Sequence, residues 1–106
     1  MEQDPLLEQI VARINAAIRP ERIILFGGRA RGDAHPGSDY DLLVVGQSAE
    51  PRYRRAVPLY AALADLPVEV DVVVYTPEEV REWSGVREAF VTTALRQGRL
   101  LCERQS

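Results

Sequence analysis

The chain has 106 residues, a net charge of −3, a single cysteine, and thirteen basic residues that are all arginine. That length suits one domain over residues 1–106, and the acidic balance argues against broad electrostatic capture of nucleic acid. The lone Cys102 excludes an internal disulfide framework, and the lack of lysine excludes a Walker-type phosphate loop and Schiff-base chemistry.

Taken from the start, Asp4 reads as an N-cap with Pro5 at the first helical position. Leu7, Ile10, Val11, Ile14 and Ile18 then recur at helical spacing, and Pro20 stops the run. Residues 22–26 form an apolar run that ends in Gly27 and Gly28, which reads as a buried strand turning into a helical segment. Residues 40–45 give a second strand. Residues 51–66 read as helix, with Pro58 either kinking it or starting it afresh.

Residues 68–75 give a third strand, and Thr76-Pro77-Glu78-Glu79 is a capping box that starts a helix firmly. Ser84 and Gly85 interrupt that helix. Val86, Ala89, Phe90 and Ala94 mark a final one, closed by Gly98, with residues 99–102 as a closing edge strand. The expected fold is α+β, a mixed sheet with helices packed on one face and an open face bearing carboxylates. Tyr53 and Tyr60 are expected to pack on a helix face and Trp83 at the edge of the core. Arg52, Arg54 and Arg55 are expected to be solvated.

Strand parity carries the chemistry. Side chains alternate across a sheet, so Asp39 and Asp41 share one face while Tyr40, Leu42 and Val44 share the other. In residues 68–75 the even-numbered valines form an apolar face, and Glu69 and Asp71 lie opposite. If the two strands are neighbours, three carboxylates converge. Aspartate is disfavoured in strands and like charges repel, so a divalent cation explains the cluster better than chance does. Magnesium takes hard oxygen ligands and shares them between carboxylates and substrate phosphates. The Gly-Gly turn supplies backbone N–H groups for an anion, with Arg29 and Arg31 close behind.

The stretch "LFGGRARGDAHPGSDYDLLVV" resembles the signature of the nucleotidyltransferase superfamily that includes DNA polymerase β and kanamycin nucleotidyltransferase. That pattern is Gly-Ser, ten residues, Asp-x-Asp, and a third acid on a later strand. Here ten residues separate Gly28 from Asp39, and "VEVDVVVY" offers Asp71 as the third acid. Gly28 stands where the family has serine. Among its members the chain is most similar to the minimal MNT type, the antitoxin of HEPN/MNT toxin–antitoxin pairs.

The resemblance implies AMP transfer from Mg·ATP to a hydroxyl, in this group a tyrosine, of a HEPN-domain partner encoded nearby. It assigns Asp39, Asp41 and Asp71 to Mg2+ and catalysis, and Gly27, Gly28, Arg29 and Ser38 to the nucleotide. The alternative is a catalytically weakened module of the same fold that neutralises its partner by binding, with Gly28 as the mark of that loss. No direct nucleic-acid or membrane contact is expected. A cytoplasmic location is the default, since residues 1–5 lack a basic-then-apolar leader.

Overall fold

Asp4 does cap the first helix. Its side chain accepts from the backbone N–H groups of Leu6 and Leu7, both at 3.1 Å, and Pro5 opens α1 (Pro5–Ile18). Arg19 ends the helix in the left-handed region, and the buried Pro20 follows. The computed structural model describes residues 4–32, 39–83, 86 and 90–104, with only the backbone of Arg31 and Phe90. The order continues with β1 (Arg22–Phe26), α2 (Gly28–Arg31), β2 (Tyr40–Val45), α3 (Arg52–Arg55), α4 (Val57–Leu63) and β3 (Val70–Tyr75). It closes with α5 (Pro77–Trp83), α6 (Phe90–Gln97) and β4 (Arg99–Glu103).

The sheet order is β3-β2-β1-β4, with β2 and β3 parallel and the other pairs antiparallel. A parallel pair needs a crossover rather than a hairpin, and α3 and α4 supply it. Pro58 starts α4 afresh instead of kinking a longer helix, because in the first turn its missing N–H has no partner to lose. The third strand starts at Val70 rather than residue 68, where Tyr40 becomes available as its partner. Ala89 and His35 lie outside the described residues, as does Ser38.

Parity divides the sheet into two cores. On one face Ile23, Leu25, Tyr40, Leu42, Val44, Val70, Val72 and Val74 meet Leu7, Ile10 and Ile14 of α1 and Leu59 and Leu63 of α4. On the other, Ile24, Leu43, Val45 and Tyr75 meet Val80 of α5 and Val91 and Ala94 of α6. The α+β fold and mixed sheet are as expected, but helices stand on both faces. The carboxylate face is open at one end only. Along β3 that face runs from exposed Asp71 through half-buried Val73 to buried Tyr75.

Three further expectations change. Tyr53 is 82% exposed because α3 buries none of its residues, and Trp83 is 40% exposed because α5 turns Pro77 and Val80 inward instead. Arg55 is not solvated. It donates to Glu79 at 2.6 Å and to the Val74 carbonyl at 3.3 Å, tying α3 to β3 and α5.

Candidate active site

The site begins where β1 stops. Gly27 follows Phe26 with φ +74° and ψ −156°, a backbone that L side chains rarely adopt. A β-carbon there would lie 2.6 Å from Asp41 Oδ2, so the carboxylate rests against the bare backbone of Gly27. Only glycine meets both conditions. The turn then winds into α2, where Ala30 N–H bonds to the Gly27 carbonyl and Gly32 N–H to that of Gly28. The first N–H groups of such a turn have no acceptor within the helix and point outward from it.

Register brings the two halves of the motif together. Phe26 pairs with Asp41 on one side, and Asp41 pairs with Asp71 on the other. In a parallel pair the strands lie about 4.8 Å apart, so the Asp41 and Asp71 side chains are direct neighbours on the open end of one face. Asp39 is exposed just before β2 and shares their parity. The Tyr40 N–H donates to the Glu69 carbonyl at 3.1 Å, which fixes the Asp39–Tyr40 peptide against the start of β3. Among the described residues no three carboxylates, imidazoles or thiols converge as a ready-made cation cage. Asp41 and Asp71 stand together, and Asp39 stands at the strand entry.

This donor set still fits magnesium. It is all hard oxygen, and one or two carboxylates completed by phosphate oxygens are what that ion usually accepts. The Asp41 carboxylate takes the place a Gly27 β-carbon would fill, so this oxygen donor stands directly beside the turn whose first N–H groups face outward.

Tyr40 sits between the two aspartates and faces the other way, 3% exposed in the core against α1. Its hydroxyl donates to Asp4 Oδ2 at 2.6 Å, and the Arg29 guanidinium lies 3.9 Å from the ring centre. Burial, then the Asp4 hydrogen bond and charge, push the Tyr40 hydroxyl up to about 12, with Arg29 pulling against them. For Asp4, burial raises the pKa, but Tyr40, the Leu6 and Leu7 amides and Arg29 together outweigh it and hold the carboxyl below its usual range. Arg29, assigned to the nucleotide by resemblance, is thus engaged on the Tyr40 side of β2.

Sequence reasoning missed this Asp4–Tyr40–Arg29 contact. Asp4 was legible as a cap and Tyr40 as a core residue. Nothing local joins them across thirty-six positions.

Known proteins resemble this chain in sequence and in fold. The family described as "Nucleotidyltransferase domain" matches residues 6–95. A bifunctional uridylyltransferase/uridylyl-removing enzyme of Vibrio cholerae is 37% identical over 82 residues, and one of Pseudomonas putida is 34% identical over 82. The aligned part is 76% of this chain but 9% of each relative.

Among solved structures, a candidate nucleotidyltransferase from Sulfolobus solfataricus superposes with a TM-score of 0.65 at 24% identity, covering 93% of this chain and 78% of that one. A toxin–antitoxin structure with AMP-PNP gives 0.64 at 22%, covering 92% and 73%. A MntA–HpeT toxin–antitoxin variant gives 0.63 at 21%, covering 98% and 76%. At these identities the structures attest the fold, while the family match rests on most of the chain. The chain belongs to the nucleotidyltransferase domain family.

Proposed function

We propose that this domain transfers AMP from Mg·ATP to a hydroxyl of a partner protein, a tyrosine of a HEPN toxin, and so acts as an antitoxin. The observation that carries the transfer chemistry is the row Phe26–Asp41–Asp71, with Asp41 held against the Gly27 backbone. The partner and the antitoxin role draw support from the toxin–antitoxin structures of the same fold.

Asp39 and Asp41 would hold Mg2+ together with the triphosphate, and Asp71 would complete its ligands on the acceptor side. When bound, the ion neutralises the triphosphate and draws electron density from the α-phosphorus. Gly27 and Gly28 orient the phosphates through backbone N–H groups, which cost no reorganisation because the turn is already formed. The acceptor oxygen forms a bond to the α-phosphorus, the bond from that phosphorus to the bridging oxygen breaks, and pyrophosphate leaves. Asp71, exposed at the start of β3, takes the hydroxyl proton. Cytoplasmic action follows from this reading.

A second reading rests on Gly28. The missing serine hydroxyl removes one hydrogen bond to a charged group, worth about 1.5–3 kcal/mol, which favours a binding module with weakened catalysis. Gly28 lies outside the positive-φ region, so its backbone accepts serine.

The test is mass spectrometry of the neighbouring gene's product, co-expressed and incubated with Mg·ATP or Mg·UTP. A gain of AMP units that disappears with Asp39→Asn and Asp41→Asn supports the transferase. A gain only with UTP would redirect the substrate towards that named for the Vibrio relatives. A gain seen only with Gly28→Ser supports the weakened module. A stable complex with no gain under any arm overturns transfer.

A further inference from the structure

A groove of about 310 Å3 runs between α4 and the start of β3, lined among others by Tyr60, Ala64, Val68, Glu69, Val70 and Asp71. It is continuous with the candidate active site, because Asp71 belongs to both. β3 is an edge strand, and its outer side is closed selectively. The Tyr60 hydroxyl accepts from Val72 N–H at 2.9 Å and contacts the Val72 carbonyl at 3.4 Å, while Arg55 takes the Val74 carbonyl. Val70 shares their parity, so its N–H and C=O turn towards the groove, where a main-chain partner can pair with them.

An exposed apolar stripe reaches the groove at Tyr60. Tyr53, Val57 and Tyr60 are 82%, 61% and 44% exposed and follow one another at successive turns of α3 and α4. Glu69 and Asp71, both exposed, belong to the opposite face of β3 and make the rim of the groove acidic beside Asp39 and Asp41. Such a rim repels the phosphates of a polynucleotide and attracts a basic side chain. A stripe of this extent beyond the groove matches a folded protein surface better than a small molecule.

Resting on the nucleotidyl-transfer reading above, we propose that this groove seats an extended segment of the acceptor protein. That segment pairs with Val70, places a basic residue against Glu69 and brings its hydroxyl to Asp71. The Tyr53–Val57–Tyr60 stripe carries the body of the same protein.

The probes are two capped pentapeptides, Arg-Val-Tyr-Val-Arg and Glu-Val-Tyr-Val-Glu, titrated into the 15N-labelled domain with Mg·ATP present. Amide shifts and nucleotide addition to the peptides are both followed. The basic peptide is expected to shift the amides of residues 68–71 and to be modified faster by roughly tenfold, the scale that two exposed charge contacts allow. Glu69→Lys should reverse that preference, and Ala64→Trp should block both peptides without changing Mg·ATP affinity. Equal use of the two peptides, or indifference to both variants, overturns the docking proposal while Mg·ATP shifts at residues 27–31 persist. Loss of those Mg·ATP shifts in the unsubstituted domain takes down the transfer reading, and this one with it. A dimer in light scattering that Tyr53→Ser with Val57→Ser dissociates would assign the stripe to self-association and overturn the partner surface.

Discussion

Gly27 holds two constraints in one residue. Its φ of +74° disfavours any side chain, and a β-carbon would strike the Asp41 carboxylate at 2.6 Å. Gly32 shares only the first, with φ +85° and nothing within 4 Å of a β-carbon among the described residues. Each alanine substitution should cost about 1–2 kcal/mol in urea unfolding through backbone strain. Only Gly27→Ala should also displace Asp41, so Mg·ATP binding by titration calorimetry should fall at least tenfold there and stay unchanged in Gly32→Ala. The glycine pair was visible in the sequence as a strand-ending turn. Its second role was not, since the clashing atom comes from Asp41 on another strand.

At the scale of elements, the capping box of α5 was fully legible. Thr76 N–H bonds to Glu79 Oε1 at 2.9 Å, and Glu79 N–H bonds back to Thr76 Oγ1 at 3.2 Å. The same Glu79 also takes Arg55 at 2.6 Å and Arg52 at 3.4 Å, which joins α3 to α5 beside the end of β3. The Arg55 hydrogen bond, against some burial and with help from Thr76, holds the Glu79 carboxyl down at about 2. A depressed carboxylate contributes stability above its ordinary pKa, and that contribution fades as pH falls through the folded value. Glu79→Gln should therefore destabilise the domain by about 1–3 kcal/mol at neutral pH, the worth of a charged hydrogen bond. The gap to the parent should begin to close below about pH 4.5 and vanish near pH 2, as read from thermal unfolding across that range.

For the whole molecule, the two faces of the sheet divide the labour. The larger core, against α1 and α4, includes Ile10 and Ile14 with no exposure, while the acids lie on the opposite face. Ile10→Ala should cost about 2–5 kcal/mol through lost burial and a residual cavity. That is a large share of the roughly 5–15 kcal/mol typical of a whole domain. Nucleotide affinity per folded molecule should not change, because the deletion lies behind the sheet. Chemical denaturation with and without Mg·ATP separates the two effects.

The reach of local patterning explains which features were readable in advance. Period-two and period-3.6 spacing, the Asp4 cap, the Gly-Gly turn and the Thr76–Glu79 box are decided within a few residues of themselves, so they stand in the linear chain. Asp39 and Asp41 shared a face for the same reason. The pairing of Asp41 with Asp71 depended on a crossover returning β3 parallel to β2. The second helical layer, the exposure of Tyr53, and the Arg55–Glu79 and Asp4–Tyr40 contacts likewise join residues remote in sequence. Such contacts come into being only when the whole sheet closes, because burial and pairing are properties of the assembled surfaces and not of any single segment.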